Sequence, residues 1–442
     1  MTSDASPKNA TMRAKSRTSK SLRAKAVRLW RVLGPGLITG AADDDPSGIA
    51  TYSQAGAQFG YALTWTMLLT LPFMAAIQII SARLGWQTGR GLTKAIGQRF
   101  PKPVLYALVA LLVGANTLNI AADLSAMGAA LRLVAHGPAA GYAIAFGLGC
   151  LMAEVFVPYH RYAGYLKFLT LVLLVYVVAA LSLEVPWPAV AWSTLFPSIS
   201  FHGELLLTVL AVFGTTISPY LFFWQASQEA EESLLSYRRK HRRMGSGSLG
   251  NDLRHISIDT WCGMSFSNLI GFCIIVTTAA TLHTHGVENI QTAAQAAEAL
   301  HPLAGPLTFL LFAAGIIGTG LLAVPVLAGS AAYAVAEAFG LRASLESTAN
   351  RAVGFYAIVS AATAAGAALA VTHVDPIAML FWTAVINGIV AVPIMLAMML
   401  LVSGRGDQDA LRMPLGLQVL GWLAVAVMAV TAASYLGSAL MT

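Results

Sequence analysis

The chain has 442 residues, of which 57% are hydrophobic and 11% charged, with a formal net charge of +7 and a mean hydropathy of +0.68. A soluble domain is typically about 25% charged, so this composition excludes a soluble enzyme, a disordered chain and a nucleic-acid-binding domain, despite an isoelectric point near 9.4. Cys150, Cys262 and Cys273 show no CxxC spacing, which excludes a disulfide framework and a zinc module and leaves a polytopic membrane protein.

The positive charge is concentrated at the start. Residues 1–31 hold Lys8, Arg13, Lys15, Arg17, Lys20, Arg23, Lys25, Arg28 and Arg31 against one acid, Asp4, so this stretch contributes +8 and the rest sums to −1. It is Arg/Ser-rich like a transit peptide, but no apolar core and small-residue cleavage site follow it as in a secretory signal. We read residues 1–31 as a disordered basic cytoplasmic tail that fixes orientation by the positive-inside rule.

Apolar stretches long enough to cross a bilayer as helices then recur within a transmembrane domain, 32–442. They fall at 33–58, 61–83, 104–131, 141–158, 164–184, 204–228, 260–282, 305–338, 353–371, 376–402 and 414–439, which predicts eleven crossings. With the N-terminus in the cytoplasm, every connection rich in Lys and Arg falls on the cytoplasmic side. Only Arg132 lands outside, so 26 of the 27 basic residues obey the positive-inside rule. The C-terminus is then extracytoplasmic, and Trp187 and Trp192 fit an outer aromatic belt. The expectation is a multi-pass protein of a bacterial inner or plasma membrane that functions as a monomer in lipid.

Two spans carry interruptions. The first reads Gly34-Pro35-Gly36 and later Asp43-Asp44-Asp45-Pro46-Ser47-Gly48; the sixth reads Gly214-Thr215-Thr216-Ile217-Ser218-Pro219-Tyr220. Each proline removes a helical hydrogen bond, and in lipid an unwound backbone survives only where it is buried in protein or lines a wet cavity. Spans one and six are the matching members of two five-helix sets, and five is odd. The sets therefore run in opposite directions, as an inverted repeat of about 33–184 and 204–402, with an additional helix at about 414–439. This repeat rests on topology, since the halves show no residue-level similarity.

One acid at the membrane centre costs about 2.5–3.5 kcal/mol on insertion scales. Asp45 directly precedes the proline, at the expected C-terminal, partially negative end of the first half-helix, where carbonyls and carboxylate together favour a cation. Asp43 and Asp44 are read two ways, as cation ligands or as solvated groups near the cytoplasmic mouth.

At these residues the sequence resembles the NRAMP family of divalent-metal transporters. The resemblance covers nearly the whole chain after the tail. It includes Gly34-Pro-Gly36, then Asp45-Pro-Ser-Gly48-Ile-Ala-Thr-Tyr-Ser-Gln-Ala-Gly-Ala-Gln-Phe-Gly60, and Asn119-Ile-Ala-Ala-Asp123-Leu in the third span. It implies an all-α polytopic membrane protein with the LeuT-type fold: two inverted five-helix repeats plus one helix, 11 transmembrane helices in all. It also implies a transported metal ion as substrate, no cofactor, no enzymatic activity and no nucleic-acid partner. By the same resemblance the metal site comprises Asp45 and the positions of Gly48 and Ser218, to which Thr215, one turn before the sixth-span break, is added as a candidate. The family's first-helix motif is Asp-Pro-Gly-Asn, and here the Asn position is Gly48. Its sixth-helix motif is Met-Pro-His, and here it reads Ser218-Pro219-Tyr220. The third-helix glutamate position is Ala126, so of the proton-linked residues only Asp123 is kept.

Thioether sulfur suits softer metals, whereas carboxylate, hydroxyl, carbonyl and water suit Mg²⁺ and Mn²⁺. Loss of the Asn and Met side chains is expected to enlarge the pocket for a partly hydrated ion. The site looks like that of the NRAMP-related magnesium transporters, so the first reading is import of Mg²⁺, with Mn²⁺, without proton coupling. The alternative is a proton-coupled Mn²⁺/Fe²⁺ transporter of the NRAMP type, and a remoter one is an organic-solute transporter of the same fold.

Other polar residues are weighed beside these. Gln225, Glu229 and Glu232 share one helix face and are read either as an inner vestibule or as a solvated helix end. The carbonyl of Thr215 is a candidate ligand. Asp123 belongs to a polar pathway or bonds to Asn119 or Ser125. Asn387-Gly388 interrupts span ten and serves the pathway or helix packing. Glu154 is expected to meet Arg161 or another loop cation, and His283 and His285 lack a third metal ligand.

Overall fold

The computed structural model describes residues 39–40, 42–157, 170–197, 203–243, 249–345, 352–372, 374–404 and 413–441. The basic tail, Gly34-Pro-Gly36, Arg161, Lys167, Arg351, Arg405 and Arg412 lie outside the described residues. The elements are helical throughout: α1 (Pro46–Phe59), α2 (Trp65–Thr88), α3 (Leu92–Arg99), α4 (Lys102–Ala135), α5 (Ala139–Phe156), α6 (Leu174–Ser182), α7 (Trp187–Leu195) and α8 (Gly203–Thr216). They continue as α9 (Pro219–Arg243), α10 (Leu249–Thr281), α11 (Ala293–Glu298), α12 (His301–Ala304), α13 (Thr308–Ala338), α14 (Val353–Ala370), α15 (Pro376–Ser403) and α16 (Leu415–Met441).

Nine helical segments among the described residues are long and apolar enough to cross a membrane. The pair formed by 171–182 and 187–195, bent by 112°, raises the number to ten. The predicted spans therefore recur in position, while the count of eleven is not reached among these residues, because the start of the first span and much of the fifth lie outside them. The short amphipathic α3 and the helical turns α11 and α12 are not visible as apolar runs. Trp187 and Trp192, expected in a loop, lie on α7 and are exposed.

Two sequence devices set the geometry of α1. Pro46 occupies its first turn, where a missing N–H costs nothing, and Gly60, with φ of +56°, turns the chain out of it. α1 sits in the middle of the molecule, packed on α8, α10 and α15. α4 and α13, the third and eighth spans that an inverted repeat would relate, pack on each other, and α9 packs on α2.

Small residues bring the backbones close where the site is built. A Cβ at Gly214 would fall 2.0 Å from the Ala384 carbonyl oxygen and 2.4 Å from the Gly388 nitrogen, so α8 and α15 touch backbone to backbone. A Cβ at Gly40 would lie 2.4 Å from the Gly263 carbonyl carbon of α10. Asn387-Gly388 does not interrupt span ten, since α15 runs unbroken through it. Gly388 serves packing, and Asn387 accepts a hydrogen bond from Asn119 Nδ2 at 3.0 Å.

At its far end α1 is tied to the chain that precedes α11. Gln54 Nε2 donates to the Glu288 carbonyl at 3.0 Å and to Asn289 Oδ1 at 3.2 Å, while Gln54 Oε1 accepts from Ile290 N at 2.9 Å.

Candidate functional site

Both predicted breaks exist, and they face each other. Thr39, Gly40, Ala42 and Asp43 are helical, Asp44 and Asp45 are not, and α1 begins at Pro46. In the sixth span α8 ends at Thr216, Ile217 and Ser218 leave the helix, and α9 begins at Pro219. Ser47 Oγ and Thr215 Oγ1 lie 3.3 Å apart, and Tyr52 Oη and Thr216 Oγ1 3.2 Å apart.

Asp45 is 1% exposed. It is the N-cap of α1: its Oδ1 accepts from Gly48 N at 2.8 Å and from Ser47 Oγ at 2.6 Å. This corrects the expected placement, because the carboxylate caps the partially positive start of the second half-helix rather than reinforcing only the negative end of the first. Its other oxygen points to the sixth span. Tyr220 Oη lies 3.3 Å from Asp45 Oδ2 and 3.0 Å from the Ala42 carbonyl oxygen. One carboxylate oxygen and one backbone carbonyl of the broken segment thus converge on a single phenol hydrogen. A cation placed there would find carboxylate, carbonyl and phenol oxygens. Ser330 Oγ of α13 holds the Tyr220 carbonyl at 2.9 Å, which fixes the start of α9.

Gly48 departs from its expected role. It is helical, and a Cβ added to it would lie 3.3 Å from Thr215 Oγ1 and from Tyr52 Cε2. A side chain at this position would meet Thr215 and Tyr52 from its first carbon on. Ser218, the second substituted ligand position, turns its hydroxyl to its own span, donating to the carbonyls of Thr215 at 2.8 Å and Gly214 at 3.0 Å. The Thr215 carbonyl proposed as a ligand is therefore already hydrogen-bonded. Its side-chain hydroxyl faces Ser47 instead.

Asp43 and Asp44 are not solvated at a mouth: both are buried, at 0% and 1% exposure. Ser267 Oγ of α10 lies 2.6 Å from Asp43 Oδ2 and 2.9 Å from Asp44 Oδ1. Asp123 is fully buried with no partner for either carboxylate oxygen, so the bonds expected to Asn119 or Ser125 are not formed.

The proposed vestibule face of α9 divides. Gln225 is buried and donates to Thr260 Oγ1 at 2.9 Å, Glu229 is 2% exposed, and Glu232 is at the surface. The face thus runs from the buried interior at Gln225 to the surface at Glu232. A cavity of about 200 Å³ on that side is lined instead by Glu231, Glu337, Tyr333, Arg90 and Lys94. Glu154 bonds to Thr363 Oγ1 at 3.1 Å, while its expected partner Arg161 lies outside the described residues. His283 Nδ1 and His285 Nδ1 meet the backbone oxygens of Ala57 and Thr281.

Sequence reasoning missed Ser47, Tyr52, Thr216, Ser267 and Met127. The first two lie inside the motif that carried the resemblance, but hydroxyls in a helix give no signal of their own. Met127 is fully buried one turn beyond Asp123 on α4. A Cβ at Gly320 would lie 2.5 Å from its Sδ and 3.4 Å from Pro46 Cγ, so a thioether lies beside the first break although Ser218 supplies none. Among the described residues, no three carboxylate, imidazole or thiol groups converge as a metal cluster.

A bundle of membrane-length helices with two facing helix breaks and a buried acid at the joint defines a multi-pass membrane protein of the transporter class. The family model described as natural resistance-associated macrophage protein-like matches residues 36–438, and the chain belongs to this Nramp family. Among its relatives, a divalent metal cation transporter MntH of Yersinia pestis (strain Pestoides F) is 28% identical over 313 residues, covering 66% of this chain and 68% of that one. Another MntH, from Deinococcus radiodurans, is 27% identical over 302 residues, covering 66% of each chain.

In fold, the chain matches a crystal structure of the Eremococcus coleocola manganese transporter with a TM-score of 0.72 at 18% identity, over 93% of this chain and 88% of that one. It also matches the nucleobase-cation-symport-1 family transporter Mhp1 with a TM-score of 0.57 at 13% identity, over 93% and 90%. The fold is the LeuT-type fold that the resemblance implies. The family, its transporter character and the absence of enzymatic activity agree with that reading. The names of the relatives align with the transition-metal alternative better than with magnesium.

Proposed function

We propose that this chain carries divalent metal cations across the membrane through the joint between the two breaks, with Asp45 as the acidic ligand and Mn²⁺ as the cargo. The observation that carries this reading is the convergence of Asp45 Oδ2 and the Ala42 carbonyl on Tyr220 Oη at a site closed to solvent. A carboxylate buried there gains from a cation what it loses in hydration, and oxygen donors suit Mn²⁺. The Met127 sulfur beside Pro46 adds a softer group on the other side of the joint, and the named relatives carry divalent metals or manganese.

A second reading, Mg²⁺ transport without proton coupling, is favoured by one observation. The groups bonded to Asp45 supply only oxygen and backbone nitrogen, and a tyrosine stands where the family has a histidine. Proteoliposomes loaded with a pH indicator separate the two, with entry of Mn²⁺, Mg²⁺ and Cd²⁺ measured for wild type, Asp45→Ala and Ser218→Met. Mn²⁺ and Cd²⁺ entry that depends on Asp45, with internal acidification, supports the first reading. Mg²⁺ entry of equal rate without a pH change supports the second, and metal entry undiminished in Asp45→Ala removes the site.

A further inference from the structure

The geometry points to a second divalent-cation site one step along the broken segment, formed by Asp43, Asp44 and Ser267. It rests on the divalent-cation reading of the Asp45 joint but uses none of the same atoms. Asp45 is bonded by Ser47, Gly48 and Tyr220, whereas Asp43 and Asp44 are bonded by α10.

The hydrogen count carries the argument. A hydroxyl has one hydrogen to donate, and the Ser267 hydroxyl stands within bonding distance of two carboxylates, at 2.6 Å and 2.9 Å. The remaining oxygens, Asp43 Oδ1 and Asp44 Oδ2, are buried with no hydrogen-bond partner at all. Both side chains are at least 99% buried. Ser267 therefore offers a single hydrogen to four carboxyl oxygens in a region closed to water. Buried polar atoms are almost always satisfied, and a buried carboxylate without a counter-charge is costlier still.

The fold enforces this arrangement. Gly40 approaches the Gly263 backbone, and one turn further on each of the two segments Asp44 and Ser267 meet. A divalent cation supplies the two positive charges that the pair lacks. It would take its ligands from the bare oxygens of Asp43 and Asp44 and from the Ser267 hydroxyl, all hard donors. The chain would then hold two cations in succession at the first-span break.

Equilibrium binding of Mn²⁺ to the purified full-length chain in detergent tests this. Two ions are expected for wild type, one for Asp45→Asn, and one for the double variant Asp43→Asn/Asp44→Asn. Ser267→Ala leaves both carboxylates in place and is expected to weaken one of the two ions by about tenfold, the loss of one charge-assisted contact. It keeps the test decisive if the double variant does not fold. A wild-type stoichiometry of one that vanishes in Asp45→Asn overturns the second site and leaves the first standing. Two ions surviving in the double variant, or unchanged binding in Ser267→Ala, also overturn it. No binding to wild type overturns the reading of Asp45 itself.

Discussion

The two breaks differ in how far their side chains reach for partners. The sixth-span break satisfies itself: Ser218 turns its hydroxyl onto carbonyls three and four residues back, and Pro219 opens α9 without needing an N–H. The first-span break adds to the local cap on Asp45 long-range contacts from Tyr220 of α9 and Ser267 of α10, and it gathers three buried carboxylates. A break that closes its own hydrogen bonds costs little and offers little to a ligand. One that leaves acids unmatched in a dry interior has a standing demand for positive charge. The cation-binding capacity of the joint is therefore concentrated in the first span, and the sixth supplies mainly Tyr220 and shape.

Substitutions separate these roles. The largest effect is expected for Asp45→Ala, which removes both the charge and the cap of α1. Mn²⁺ uptake falls by about 10- to 100-fold, the equivalent of one charged ligand, and vesicle flux measurements check it. The same Asp-Pro pair recurs at Asp375-Pro376, where Asp375 caps α15 by accepting from Ile377 N at 2.9 Å, but that side chain is exposed. Asp375→Ala should lower thermal stability by about 1 kcal/mol, the worth of an N-cap, while uptake stays within about twofold of wild type. Equal loss of uptake in both variants would mean that capping, not charge, is what Asp45 contributes.

Next in size is Gly214→Ala, which drives a methyl group into the Ala384 backbone and should destabilise the fold by about 1–3 kcal/mol, read as a lower melting temperature in detergent. Tyr220→Phe removes one hydrogen shared by two oxygens and leaves the ring in place. It is expected to change the half-saturating Mn²⁺ concentration by about three- to tenfold with little effect on stability. The smallest effect belongs to Ser218→Ala, whose hydroxyl bonds only to its own helix; uptake should remain within about twofold. A loss at Ser218 as large as that at Asp45 would break the asymmetry between the breaks.

Much of this was legible in the sequence, and the remainder was not for definite reasons. Asp45 stood out because three acids beside a proline do not belong in an apolar run, and the pairing of spans one and six followed from the order of the breaks. The direction of the cap was misread. A proline can end one helix or open the next, and only the Gly48 N–H donating to Asp45 shows that it opens α1. Ser267 carried no signal, since a single serine in an apolar helix gives no hint that it will meet acids more than 200 residues earlier. Glycines such as Gly40, Gly48 and Gly388 report how closely another segment approaches, and that is decided by a partner remote in the chain. α3 was missed because it is short and too polar to register as a span.

Gln54 gives the joint a mechanical side. α1 is a rod about 20 Å long at 1.5 Å per residue, with the Asp45 carboxylate at one end and, two and a half turns along, an amide gripping the segment 288–290 by three hydrogen bonds. The two non-helical residues Asp44 and Asp45 stand at its start, so one short helix joins the buried acids to a segment remote in the chain.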